Sequence, residues 1–288
     1  MLGFIGLGNM GEPMARRIVQ GGVALLVFDV RPGAADRLVA AGAALAASVA
    51  QVAAEADEGY LVCVSDDHQV IEIVDEICAS PADLTGRTVV VHSTVTPETM
   101  FTIARSAAMR GMTVMDAAVS GNTEAREAGR LTIFAGGAPE DLFRFRPVFE
   151  LCAESIYEAG PVGAGSALKL ANNILALVGL LATAEAWELA RGYGIPLPVL
   201  REAVSVSTGD LYAMRNLEFF QQLYREHPQG NSEGFYEFMR KDLWSAVSAA
   251  KNAGIDLHLT AAAAATAPAV YEKFWAEDSM PEVLAPGC

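Results

Sequence analysis

From residue 2 to about residue 160, short apolar and β-branched runs alternate with longer stretches whose apolar positions recur at helical spacing. The runs "LGFIG", "ALLVFD", "GYLVCV", "RTVVVH", "MTVMDA", "LTIFAGG" and "SIYEAG" predict strands, and "MGEPMARRIVQG" and "DDHQVIEIVDEICA" predict helices between them. That order predicts a mostly parallel sheet with helices on both faces. After "GPVGAG" (160–165) the strands stop and the chain turns rich in Ala, Leu and Glu with helical period. The first helix of this part, over 166–192, is apolar on most sides in its middle, which predicts burial between domains or subunits. The segment "EHPQGNSEG" (226–234) predicts a polar loop, and "TAAAAATAPAVYEKFW" a late helix kinked at Pro268. No internal repeat is visible.

A chain of 288 residues with 52% hydrophobic content has enough apolar surface for two ordinary cores. Its formal charge of −15 comes from 35 acids against 20 bases, with no Lys/Arg run to grip a phosphate backbone, so nucleic acid is not an expected partner. Cys63, Cys78, Cys152 and Cys288 show no C-x-x-C spacing, and reduced thiols in a cytoplasmic protein fit them best. The opening "MLGFIGLG" lacks the basic segment of a secretory signal and already reads as a strand. The apolar run "ILALVGLLATA" (174–184), between Lys169 and Glu185, is too short to cross a bilayer, so no membrane is expected. His68, His92, His227 and His258 have no metal-ligand spacing, and no metal is expected. No G-x-S-x-G elbow points to a hydrolase.

The stretch "GFIGLGNMGEPMARRI" crowds Gly6, Gly8 and Gly11 around the end of the first strand. A G-x-G-x-x-G pattern alone is weak, but here its first glycine ends a strand, its third opens a helix, and Asp29 ends the next strand 18 residues after Gly11. Gly6 would allow the tight turn, Gly8 would let a pyrophosphate reach backbone N–H groups at the helix start, and Gly11 would let helix and strand pack closely. The expected cradle is Gly6, Leu7, Gly8, Asn9, Met10 and Gly11, with Asp29 on the ribose hydroxyls, which favours NAD. Arg31 leaves NADP open. The expected fold is therefore α/β: a Rossmann-type domain over 1–163, then an all-α substrate and oligomerisation domain over 164–288, joined by the long helix.

Two further segments carry chemistry. "DAAVSGNTEAREAGRL" (116–131) places Ser120, Gly121 and Asn122 at the carboxyl end of a strand, where a hydroxyl beside backbone N–H groups can cradle a carboxylate. The plain alternative is a turn. In "GAGSALKLANNI" (163–174), Lys169 and Asn173 share one helix face, with Gly165 a turn earlier keeping that face open. An apolar run follows Lys169, where burial disfavours the ammonium and readies the group for moving a proton.

Taken in order, "GFIGLGNMG", "STVTP" (93–97), "DAAVSG", "GAGSALKLANN" and "RKDL" (240–243) resemble the motifs of the β-hydroxyacid dehydrogenase family, over nearly the whole length. The resemblance implies an oxidoreductase moving a hydride between NAD(H) and a small 3-hydroxy acid or its semialdehyde. It implies Lys169 as proton donor and acceptor, and Asn173 as the group that holds the substrate or orients the lysine. Ser120 and Gly121 would take the substrate carboxylate. Thr94 and the backbone at Val64 and Ser65 would line the nicotinamide side, and Lys241 would reach the cofactor. Without the motif order, Thr94 reads as a strand-end hydroxyl, and Lys241 with Asp242 as a solvated helix face.

The sequence departs from the family pattern at four places. Asn122 replaces a second glycine after Ser-Gly, Ser65 stands where proline is common, Val91 where an acid is frequent, and Asp210 follows Gly209 in "STGDLY". Asp210 either selects a substrate bearing an amine or several hydroxyls, or caps the helix that begins near Leu211. Two other readings stay open. One is an imine reductase, although those relatives generally carry an acid or tyrosine at the position of Lys169. The other is a non-catalytic dinucleotide-binding protein of the same fold. The apolar helix at 174–184 also predicts a homo-oligomer.

Overall fold

The computed structural model describes residues 1–226 and 235–275; His227, Cys288 and the expected polar loop beyond Glu226 lie outside the described residues. In chain order the elements are β1 (Leu2–Ile5), α1 (Gly11–Gln20), β2 (Leu25–Phe28), α2 (Asp36–Ala40), β3 (Ala44–Leu45), α3 (Val49–Glu55), β4 (Gly59–Val62) and α4 (Asp67–Cys78). Then come β5 (Thr88–Val91), α5 (Pro97–Ala108), β6 (Thr113–Ser120), α6 (Thr123–Ala128), β7 (Leu131–Gly136), α7 (Pro139–Phe149) and β8 (Ala153–Gly160). The helices α8 (Ala164–Gly192), α9 (Leu197–Ser205), α10 (Tyr212–Arg215), α11 (Leu217–Glu226), α12 (Phe235–Asn252) and α13 (His258–Trp275) follow.

The eight strands form one sheet in the order β3-β2-β1-β4-β5-β6-β7-β8, parallel throughout except for β6 against β7. The inner strands are mostly apolar because both faces are covered: in β1, Leu2 and Phe4 enter one core with Met14, Ile18, Leu38 and Phe149, while Ile5 enters the other with Val52, Val74 and Ile103. Helix starts follow their caps. Ser48, Asp66 and Asn122 accept from the backbone N–H three residues on, and Thr96 with Pro97 does the same for α5. The strand order reverses between β1 and β4, and ligands of open α/β sheets bind outside such a switch point.

Two compact units divide the chain, Met1–Lys169 and Leu170–Cys288. The division falls inside α8 rather than at its start, because the first turn of that helix is anchored to β6 and Gly165 lies against the Phe134 carbonyl. In the second unit α8 to α13 enclose a core of Leu177, Leu180, Trp187, Phe220, Tyr271 and Phe274, and the Tyr271 hydroxyl donates to the Leu177 carbonyl at 2.8 Å. Helix α8 is 29 residues long, enough by length and composition to cross a membrane, unlike the eleven-residue run read from the sequence; Leu177, Leu180, Leu181 and Ala184 of that run are spent on this core. Pro268 sits inside α13, which continues through it as one helix.

Candidate active site

The three glycines of the first loop have different reasons to be there. A Cβ on Gly6, whose φ is +93°, would meet the Cys63 carbonyl oxygen at 2.2 Å, and one on Gly11 would meet the Gly6 carbonyl oxygen at 2.0 Å. These two close the loop against β4 and against its own helix. At Gly8 the nearest atom to an added Cβ is Arg31 Nη2 at 4.0 Å, so the backbone there faces open space at the start of α1. The N-cap of α1, Met10, makes no side-chain cap.

Asp29, just after β2, braces this loop. Its Oδ2 accepts from Leu7 N at 2.7 Å and from Arg31 Nη2 at 3.2 Å, and its Oδ1 accepts from Arg31 N at 2.8 Å and Arg31 Nε at 3.0 Å. Burial pushes this carboxyl up, but the hydrogen bonds from Arg31 and Leu7 outweigh it and hold the group below the usual carboxylate range. Next to it, after β4, Val64 N donates to Ser93 Oγ at 2.8 Å and Ser65 N to Gln69 Oε1 at 3.0 Å. The backbone donors at these two positions are thus engaged within the protein. Thr94 follows Ser93 beyond the end of β5, at the same edge of the sheet.

Ser120 ends β6, and Gly121 and Asn122 lead into α6. Gly121 packs so closely that a Cβ would lie 2.6 Å from Leu131 Cδ2. The departure at Asn122 has a local cause: its Oδ1 accepts from Ala125 N at 2.8 Å and caps α6. Lys169 is buried on α8, and Asn173, also buried, lies one turn on. Gly165 does not open that face; a Cβ there would collide with the Phe134 carbonyl oxygen at 2.4 Å and with Asp116 Oδ2 at 2.5 Å.

Within the second unit, Asn173 Nδ2 donates to Asp242 Oδ2 at 2.6 Å, and Lys241 Nζ lies 3.2 Å from Asp242 Oδ1. Asp242 is fully buried, which overturns its reading as part of a solvated helix face and ties it to the candidate site residue Asn173, a link that sequence reasoning missed. The signal available was its place beside a motif lysine in "RKDL". The capping reading of Asp210 is also corrected: Leu211 is the N-cap of α10, without a side-chain cap, and Asp210 Oδ1 instead pairs with Arg215 Nε at 3.2 Å.

Residues 1–160 match the family described as the NAD binding domain of 6-phosphogluconate dehydrogenase, and residues 163–285 match the NAD-binding domain of NADP-dependent 3-hydroxyisobutyrate dehydrogenase. The chain is 36% identical over 253 residues to the NAD-dependent L-serine dehydrogenase of Pseudomonas aeruginosa, covering 87% of this chain and 85% of that one. The chain belongs to the β-hydroxyacid dehydrogenase family. Among solved structures, the 3-hydroxyisobutyrate dehydrogenase of Mycobacterium tuberculosis with L-serine matches at a TM-score of 0.79 and 29% identity, covering 96% of this chain and 94% of that one. The imine reductase of Streptomyces aurantiacus, at a TM-score of 0.63 and 19% identity over 94% of this chain and 93% of that one, shares the fold alone. As a β-hydroxyacid dehydrogenase the protein is an oxidoreductase that acts on a hydroxyl group with NAD(P). The bare backbone at Gly8 fits that cofactor, since it leaves the space a diphosphate needs beside the helix start.

Proposed function

We propose that the protein oxidises a small 3-hydroxy acid, or reduces the corresponding semialdehyde, with Lys169 as general acid and base. The observation that carries this is the burial of Lys169, 8% exposed, one turn from an equally buried Asn173 on one helix. A lysine is rarely buried without a task, and a proton carrier near an apolar stretch has one. In the reductive direction Lys169 Nζ gives its proton to the substrate oxygen, and in oxidation it takes that proton back. Asn173, held by Asp242, orients the substrate oxygen or the ammonium. The Ser120 hydroxyl, the Gly121 N–H and the Asn122 amide NH2 receive the substrate carboxylate. Bound NAD(P) supplies the hydride acceptor and donor. We assign its diphosphate to the loop from Gly6 to Gly11, its adenosine ribose to Asp29, its nicotinamide side to Val64, Ser65 and Thr94, and a further contact to Lys241. Asp29 favours NAD over NADP.

The substrate class includes L-serine, itself a 3-hydroxy acid, for which two relatives are named or were solved. A panel of 3-hydroxyisobutyrate, 3-hydroxypropionate and L-serine, run with NAD and with NADP, tests the reading. Lys169→Ala is expected to lower kcat by about 10²- to 10⁴-fold with dinucleotide affinity kept. Turnover of the panel unaffected by this change would remove the assigned role. Dinucleotide binding with no turnover by the natural protein would favour the non-catalytic reading. Asp210, paired with Arg215, is proposed to select a substrate bearing an amine or several hydroxyls, so Asp210→Ala should lower the preference for L-serine over 3-hydroxyisobutyrate if the amine is what it selects. The free thiols of Cys63, Cys78 and Cys152 support a cytoplasmic location.

A further inference from the structure

Helix α8 begins without a cap of its own. Its first residue is Ala164, preceded by Gly163 at φ +91°, and neither offers a side-chain acceptor. The acceptor comes from the sheet instead. Asp116 of β6, fully buried, accepts from Gly163 N at 2.7 Å through Oδ1 and from Ser166 N at 2.6 Å through Oδ2. The carboxylate is enclosed by glycine: a Cβ on Gly136, its partner in the β6–β7 register, would come within 2.8 Å of Oδ2, and one on Gly165 within 2.5 Å. Burial pushes this carboxyl up, and the two short bonds from backbone N–H groups at the positive end of the helix work against that and hold the group in place.

Asp116 lies on the same strand as Ser120, four residues earlier and therefore on the same side of the sheet, about 13 Å away along the chain. Its second bond ends at Ser166, three residues before Lys169. We propose that Asp116 is a positioning residue that ties the strand carrying the carboxylate cradle to the helix carrying Lys169, and so fixes the separation that a substrate must span. This rests on the functional reading given above. A ligand gripped at its acid group can place its hydroxyl at the ammonium only if that separation is held, because small displacements of reacting groups cost large factors in rate.

Asp116→Asn keeps the shape but turns an NH2 toward backbone donors. It is expected to lower kcat on the preferred 3-hydroxy acid about 10²-fold, with the dissociation constant for dinucleotide unchanged. The kcat/KM ratio of that acid over the matching alcohol without a carboxyl group should fall toward one. Asp116→Glu, which keeps the charge but adds a methylene, should not restore that ratio. Amide exchange over residues 163–170 should accelerate in Asp116→Asn while the glycine loop at residues 6–11 keeps its protection, a readout that needs no turnover and can be taken at any temperature where the variant is folded. Unchanged exchange, or equal losses for the acid and the matching alcohol, would overturn the proposal. If the natural protein turned over no hydroxy acid at all, the functional reading would fall instead, and the exchange result would still judge the brace.

Discussion

Arg31 and Leu7 together take up the acceptor capacity of Asp29: three donors from Arg31 and the Leu7 N–H occupy two carboxylate oxygens that have about four lone-pair sites. A ribose diol can bind Asp29 only by displacing the Arg31 side chain, which is 57% exposed and moves at little cost. If the ribose sits on Asp29 as proposed, a displaced guanidinium would be free to meet a 2′-phosphate on that sugar. Arg31→Ala is therefore expected to lower kcat/KM for NADP about tenfold or more and to leave NAD unchanged or improved. Equal losses with both dinucleotides would show that the arginine serves the loop and not the choice of cofactor. A second single-residue effect sits in the core. His92 is buried between Phe4 and Phe149, its Nδ1 bonds the Ala117 carbonyl at 2.8 Å, and its Nε2 has no hydrogen-bond partner among the described residues. Burial pulls its pKa down to about 4. The unfolded chain takes up this proton near pH 6.5 while the fold refuses it until about pH 4, so stability is full above that window and falls on acidification through it. The loss is about 1.4 kcal/mol per pH unit, or roughly 3 kcal/mol across the window. His92→Asn keeps a donor for Ala117, and urea melts should show it less stable at neutral pH but without this slope. Parallel curves for the two proteins would contradict the assignment.

Elements were legible where a periodic pattern met a cap or a glycine with a steric reason. The strands from β1 to β8 follow runs visible in the sequence, with the exception of β3, a two-residue edge strand whose Ala44 and Leu45 are both exposed and so leave no apolar signature. The close packing that needs glycine at positions 6 and 11, and the burial of Lys169, were readable from local spacing. Asp242 was not, because burial of an acid depends on a partner 69 residues away, Asn173, which no local pattern encodes. Asn122 and Gly165 were readable as unusual but not for the right cause: one is spent on a helix cap and the other on a carboxylate and a carbonyl. The loop between β1 and α1 makes a test at this scale. Gly11→Ala drives a methyl into backbone and should cost several kcal/mol of stability through overpacking. Gly8→Ala places the methyl in open space and should change stability by less than about 0.5 kcal/mol, yet weaken NADH binding tenfold or more. Melting curves beside fluorescence titrations separate the two, and a Gly8→Ala protein with full affinity would move the diphosphate elsewhere.

At the scale of the whole molecule, two opposing terms decide association. Along α8, Leu175 is 79% exposed and Leu189 66%, seven residues to either side of exposed Ala182, with Tyr193 at 82% just beyond the helix end. The opposite side of the same helix is buried in the helical core, so an apolar stripe about 20 Å long remains on its outer side. Small side chains at Gly179, Ala182 and Ala186 would let a second helix come close, and a second copy of this chain supplies an identical stripe. Against this stands a formal charge of −15 on each copy, which repels a like partner. Salt screens the repulsion and strengthens apolar contact, so a dimer built on this stripe should tighten as ionic strength rises, the reverse of an interface held by ion pairs. Light scattering at micromolar concentration is expected to give a multiple of the chain mass. The double variant Leu175→Glu, Leu189→Glu should give the mass of one chain while keeping its helical signature. A natural protein of single-chain mass at both low and high salt would show that the stripe faces solvent and that α8 serves only the core beneath it.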